Sequence, residues 1–183
     1  MGNIDKLSTV VCFGLAASAA VIVGKEIGEG KSADHVYSVS WTLLASSMLV
    51  GGVVTVLLLI LLPTFFRPVL FPLFQLTEGA AYAATCMNLL YALAMPTRSF
   101  DVTNITGILR SGGDTRVATL IDVCPLWLAA IPLMALAALV FDAPVFVVCL
   151  AMQAENAVKC PLGLLRFRSR KWINDITRTD AGK

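Results

Sequence analysis

The sequence predicts an all-α, polytopic membrane protein built as a bundle of five transmembrane helices. Hydrophobic residues make up 57% of the 183-residue chain and charged residues only 14%, whereas an average soluble domain has roughly 25% charged residues. The mean hydropathy is +0.80. A soluble domain of this size could not hide so much apolar surface, because roughly a third of the surface of its unfolded chain stays wet. The composition excludes a soluble enzyme, and a net charge of +2 gives no reason to expect nucleic acid as a partner.

Five apolar runs define the predicted spans, since a helix that crosses a bilayer needs roughly 20 apolar residues. The first run carries no charge before Lys25, and the second is uncharged and long enough to tilt. The third is uncharged up to Thr97 and continues past Pro96. The fourth is interrupted by Asp122 alone. The predicted spans are residues 7–27, 37–66, 79–109, 117–141 and 143–165.

The predicted domain organisation is a transmembrane bundle over residues 1–168 and a basic tail over residues 169–183. Basic residues concentrate in the tail and in the loops after the first and third spans, which share one face if the spans alternate. By the positive-inside rule the tail is cytoplasmic, and the protein is a multi-pass protein of the inner (plasma) membrane. The tail forms either a short interfacial helix with Trp172 at headgroup level or a simple stop-transfer anchor.

Apart from Lys25 and Glu26 at the end of the first span, five charged side chains fall inside the predicted spans. Each one exposed to lipid at mid-bilayer costs roughly 2.5–3.5 kcal/mol, so we expect them to face the bundle interior or an aqueous cavity, or to pair together. Glu155 and Lys159 lie four residues apart in the order that favours an intrahelical ion pair. The five residues are Arg98, Asp101, Asp122, Glu155 and Lys159.

The third span carries a polar stripe. Thr97, Asp101 and Asn104 follow at i, i+4 and i+7, Arg98 flanks them, and Pro96 removes a backbone hydrogen bond just before. A carboxylate, an amide and hydroxyls beside a broken helix predict an ion- or substrate-binding site. The alternative is an Arg98–Asp101 pair that is buried only for packing.

The first span carries small residues at every fourth position, namely Ala16, Ala20, Gly24 and Gly28. Such a stripe lets neighbouring helix backbones approach closely in lipid. It predicts either a sliding interface in a moving bundle or static packing.

The residues indicate no catalytic constellation, no cofactor and no metal site. The five cysteines form no CxxC motif and lie in apolar stretches, as buried free thiols do. His35 is the only histidine, which argues against zinc. We therefore expect no enzymatic activity.

Three stretches resemble one family, the multidrug and toxic compound extrusion (MATE) transporters. Gly107-Ile108-Leu109-Arg110-Ser111-Gly112-Gly113-Asp114-Thr115-Arg116 resembles the loop after their tenth helix. Residues 16–30 resemble the end of the eighth helix, and residues 167–175 resemble the tail of the last one. The five spans would correspond to helices eight to twelve. The chain would then be a C-terminal portion, with the N-terminal bundle as its missing partner.

This resemblance implies antiport: export of cationic or amphipathic, drug-like small molecules, with H⁺ or Na⁺ as the coupling ion, by a protein whose other partner is the lipid bilayer. Some members carry an acidic site on the tenth helix, which makes Asp101 the candidate here. We interpret the following loop residues as structural: Arg110, Gly112, Gly113, Asp114 and Thr115. The glycines permit a tight turn, and Asp114 or Thr115 caps the fourth helix. The alternative function is a non-transporting membrane fragment or a small membrane partner subunit.

Overall fold

The computed structural model describes residues 2–64, 78–140 and 145–173, and this part of the chain is helical with no strand. The all-α prediction is therefore confirmed. The bundle contains α1 (Gly2–Gly28), α2 (Ala33–Leu61), α3 (Glu78–Asp101), α4 (Thr115–Pro125), α5 (Val145–Met152) and α6 (Ala154–Arg168). Wider π-helical turns extend α3 over Val102–Leu109, and α4 continues through mixed α and π turns to Val140.

Three of the described helices are long and apolar enough to cross a membrane, over Ser8–Gly28, Ala33–Thr64 and Thr115–Val140. They overlap the first, second and fourth predicted spans. The helix that covers the third predicted span is equally long but more polar, and it is not among these three. Residues 65–66, 141 and 143–144, at the edges of predicted spans, lie outside the described residues.

The fifth predicted span is divided into α5 and α6 by a turn at Gln153. The side chain of Asn156 donates from Nδ2 to Oε1 of Gln153 at 3.2 Å. The backbone N–H groups of Asn156 and Ala157 both donate to the Gln153 carbonyl. Polar side chains that bond within the turn compete with a continuous helix here.

Close packing in the bundle depends on α3. A Cβ atom on Gly51 of α2 would lie 2.9 Å from Cα of Pro96, so α2 and α3 meet backbone to backbone. Two hydroxyls tie the same pair, since Ser99 donates to the Ser47 carbonyl and Thr55 to the Ala92 carbonyl. On the other side of α3, a Cβ on Gly107 would lie 2.8 Å from the carbonyl oxygen of Ala16 in α1.

The small-residue stripe of α1 overlaps only in part with the buried face of this helix in the described part of the chain. The buried face instead comprises Cys12, Ala16, Ala19, Val23 and Ile27. Only Ala16 belongs to both sets. Ala20 and Gly24 are half-buried, Gly28 is exposed, and no described atom lies within 4 Å of a Cβ built on either glycine. The larger apolar side chains of the adjacent face are the ones that meet the hydrophobic core.

Four aromatic rings close one end of the bundle, and we call this cluster the aromatic end: Tyr37, Trp41, Phe167 and Trp172. The Phe167 ring lies 4.9 Å from Tyr37, 5.9 Å from Trp41 and 5.6 Å from Trp172, measured between centroids. Trp172 is 0% exposed, and its Nε1 donates to the carbonyl of Phe167 at 3.0 Å. Trp172 is therefore a core residue, and its side chain is not exposed as the interfacial-helix alternative would require.

The start of the tail is not helical either. Residues 169–173 form turns, and the remainder of the predicted interfacial helix lies outside the described residues. Arg170 takes a left-handed conformation with φ of 56°. Its guanidinium lies 4.4 Å from the centroid of the Tyr37 ring, and Nη1 pairs with Asp34 at 2.5 Å. These contacts hold Arg170, at the start of the tail, against α2.

The α3–α4 turn is closed by its glycines as predicted. Gly113 has a φ of +90°, and the N–H groups of Gly113 and Asp114 donate to the Arg110 and Leu109 carbonyls. This is the pattern of a glycine-terminated helix. Gly112 has a different role, because a Cβ there would lie 2.6 Å from the carbonyl oxygen of Trp172.

The predicted cap on α4 does not form. Asp114 stands at the N-cap position with φ of −95° and ψ of 47°, and its side chain makes no capping hydrogen bond. Its carboxylate instead accepts from Nε of Arg166 in α6 at 2.5 Å. The backbone angles differ from the extended conformation that aims a capping side chain at the helix. The loop therefore ties α4 to α6.

Candidate functional site

A cavity of about 410 Å³ lies between α1, α3, α4 and α6. It is large enough for a small organic ligand, since such pockets run from roughly 300 to 1,000 Å³. Phe13 and Tyr91 provide aromatic surface. Its lining contains six charged side chains: Arg98, Asp101, Arg110, Asp122, Glu155 and Lys159. The five charged residues predicted to face an interior or a cavity thus share one cavity, and the predicted loop residue Arg110 joins them.

Asp101 is the buried carboxylate of this cavity. It ends the α-helical part of α3, and only 4% of its surface is exposed. Among the described residues, neither of its oxygens has a hydrogen-bond partner. Burying a carboxylate without a partner is costly. The position therefore favours a proton, an inorganic cation or an organic cation beside Asp101.

The other two carboxylates are engaged by basic side chains. Lys159 of α6 donates from Nζ to Oδ1 of Asp122 in α4 at 2.8 Å, and it also pairs with Glu155. The second oxygen of Asp122 faces Nη2 of Arg110 at 3.4 Å. The sequence predicted the Glu155–Lys159 pair within one helix. In the structure that pair is part of a network that joins α3, α4 and α6 across the cavity.

Two residues of the predicted polar stripe do not line the cavity. Thr97 is exposed, and its hydroxyl donates to the Ala94 carbonyl of its own helix at 2.8 Å. Asn104 is fully buried against α6, where a Cβ on Gly163 would lie 2.9 Å from its Nδ2. The α-helical spacing behind the stripe ends at Asp101, because wider turns begin at Val102. Only Arg98 and Asp101 of the four candidates reach the cavity.

Seven further lining residues were not predicted as site residues: Phe13, Tyr91, Val102, Ile105, Thr106, Gln153 and Asn156. Gln153 and Asn156 belong to the turn that interrupts the fifth span. Their polar side chains within an apolar run were the signal that could have identified them. Phe13 and Tyr91 carry no such signal, because an aromatic residue in a membrane helix looks the same whether it faces lipid, core or cavity.

The chemistry of the site is that of ion and cation binding. It combines one unpaired carboxylate, a network of paired charges and two aromatic rings, and rings of this kind attract organic cations. In the described part of the chain, no group of three or more histidine, cysteine or acidic side chains is placed to hold a metal ion.

The chain matches a known protein family. A family model described as MatE matches residues 1–136, which include α1, α2, α3 and most of α4. Arg98, Asp101, Arg110 and Asp122 lie within the matched stretch, and Glu155 and Lys159 lie beyond it. No curated protein and no solved structure matches the chain.

Proposed function

This chain belongs to the MatE family of multidrug and toxic compound efflux transporters, and from that premise we propose that it serves the export of cationic or amphipathic compounds in exchange for inward H⁺ or Na⁺. The family match covers 136 of 183 residues. As a member of a transporter family, the chain moves substrates across a membrane and does not transform them.

The observation that carries the site assignment is the unpaired carboxylate of Asp101 in the cavity. A carboxylate in a low-dielectric cavity can hold a proton, a sodium ion or a cationic drug. Two of these cannot neutralise the same charge at once, so they compete. When that competition is combined with alternating access, binding of the ion on one side releases the drug on the other.

The membrane placement follows from the charge distribution. The basic tail favours a cytoplasmic C-terminus in the inner (plasma) membrane. The lipid bilayer is the first partner, because Ala33–Thr64 and Thr115–Val140 present mostly unburied apolar windows. A first bundle completing the transport path is the second partner in this proposal.

The proposal is tested with inverted membrane vesicles loaded by a fluorescent organic cation, ethidium, under an imposed H⁺ or Na⁺ gradient. Asp101→Asn should lower gradient-driven transport about tenfold, because an ionic contact of roughly 1.5–3 kcal/mol is lost. Glu29→Gln, an exposed acid on the α1–α2 loop, should transport as the unaltered chain does. Transport by Asp101→Asn at the control rate would contradict the site. The gradient that drives transport identifies the coupling ion.

The alternative is a non-transporting membrane fragment or a small membrane partner subunit. The observation in its favour is the same exposed apolar surface on α2 and α4, which is available to other helices as well as to lipid. This alternative predicts no transport by the chain alone and stable association with another membrane protein. An immunoblot of native membranes with antiserum to residues 166–183 reports the size of the protein that carries this tail. Co-purification then reports its partners.

A further inference from the structure

One lysine holds two of the three carboxylates that line the cavity. The ammonium of Lys159 donates to Asp122 at 2.8 Å and pairs with Glu155 one turn away on its own helix. Only 12% of the Lys159 side chain is exposed. Its charge therefore occupies the position between α4 and α6 at which a free cation would bridge these carboxylates.

The third carboxylate differs from these two. Asp101 is almost completely buried, and no described residue donates a hydrogen bond to it. Arg98 lines the same cavity without being such a donor, and Arg110 is directed to the second oxygen of Asp122. Of the three acids, Asp101 alone presents an unpaired charge to a ligand.

We propose that Lys159 is a tethered cation that limits this cavity to ligands with a single positive charge. The inference rests on the proposed function and adds the substrate class, monovalent organic cations in preference to dications. A ligand's first charge meets Asp101. A second charge on the same ligand meets the Lys159 ammonium, and like charges a few ångströms apart in a low-dielectric site repel strongly. Lys159 is thus a specificity-determining residue.

The test uses two probes that share a six-carbon chain and differ by one charge, hexyltrimethylammonium and hexamethonium. Their equilibrium binding is measured on the 183-residue chain in bilayer nanodiscs. The unaltered chain should prefer the singly charged probe. Lys159→Met keeps the length of the side chain and removes its charge, so the affinity for hexamethonium should rise about tenfold, the effect of one charge-assisted contact.

Two variants serve as matched controls. Combining Lys159→Met with Glu155→Gln removes one positive and one negative charge together, and the preference for the single charge should return. Lys31→Met removes an exposed lysine that pairs, among the described residues, with Glu26 of α1 and Glu29 of the α1–α2 loop. This change should leave both affinities as they are. An unaltered charge preference in Lys159→Met overturns the inference and leaves Lys159 a structural ion pair.

Glu155→Gln alone tests the same idea from the opposite side, and it does so even if Lys159→Met does not assemble. It leaves Lys159 with one partner fewer, so binding of the singly charged probe should fall about tenfold and that of hexamethonium further. Equal affinities in Glu155→Gln and the unaltered chain also overturn the inference. The proposed function fails separately, together with the inference that rests on it, if the unaltered chain binds neither probe or if Asp101→Asn binds the single charge unchanged.

Discussion

The aromatic end and the cavity both involve α6, but they differ in whether their buried polar groups have hydrogen-bond partners. At the aromatic end Trp172 is fully enclosed, and its one polar atom is paired with the Phe167 carbonyl. Two turns earlier, Lys159 faces a cavity in which the carboxylate of Asp101 is buried without a partner. The indole N–H at the aromatic end has a hydrogen-bond partner, whereas the carboxylate oxygens of Asp101 in the cavity have none among the described residues.

The contrast separates the residues that hold the bundle together from those that we propose bind its ligand. A buried polar group without a partner lowers stability by roughly 1–3 kcal/mol. Asp101, Thr103 and Asn104 all contain such atoms, and all three lie where α3 changes from α to π turns. Wider turns of this kind occur frequently at functional sites. Of the three, only Asp101 lines the cavity, and local instability is expected at a site where a ligand supplies the missing partner.

The largest effect is expected at the aromatic end. Trp172→Ala removes a fully buried indole and should lower the free energy of unfolding by about 3–5 kcal/mol. Trp127→Ala is the matched control, because Trp127 is 64% exposed on the outside of α4. Thermal unfolding of both purified variants in the same detergent compares them directly. Equal losses would mean that the aromatic end does not hold the bundle together.

A smaller loss is expected at the turn beneath Trp172. Gly112→Ala places a methyl group 2.6 Å from the Trp172 carbonyl oxygen, and overpacking of this kind costs about 1–3 kcal/mol. Gly24→Ala adds the same methyl to α1 with no described atom within 4 Å. It should cause no loss in the same unfolding assay. Destabilisation by Gly24→Ala instead would restore the predicted small-residue stripe as a packing face.

The smallest expected effect on stability is a gain instead of a loss. Asp101→Asn removes an unpaired buried charge and should raise the free energy of unfolding by about 1 kcal/mol while lowering transport about tenfold, the usual trade between stability and activity. Asp114→Asn is the matched comparison, since it weakens the ion pair with Arg166 and should lower stability. If Asp101→Asn is also destabilising, the carboxylate has a structural partner in the membrane and the contrast between the two regions weakens.

The helices and the types of residue that line the cavity could be predicted from the sequence, because both depend on local or general physics. Apolar runs specify membrane helices by length alone. The cost of charge in lipid led to the expectation that Asp101, Asp122, Glu155 and Lys159 would face an interior or a cavity, and the structure places them around one cavity. The turn at Gly113 was also predictable, since a positive φ after a helix favours glycine.

The errors concern properties that depend on neighbours distant in sequence. In the sequence Trp172 resembles an interfacial residue, but in the structure it packs against Gly112, some 60 positions earlier. In the sequence Asp114 resembles a helix cap, but in the structure its carboxylate pairs with Arg166 of α6. The stripe on α1 has the right spacing, but spacing does not tell which face of a helix its neighbours choose. Asn104 was misplaced because the helical period changes after Asp101.

The burial of Trp172 also makes it a natural optical reporter. The chain has three tryptophans, and Trp41 and Trp127 are exposed on α2 and α4. A quencher carried in the lipid, such as a brominated acyl chain, should therefore reach the fluorescence of these two indoles and spare the third. The emission that survives quenching then follows the contact between tail and turn in the intact protein, without any attached dye.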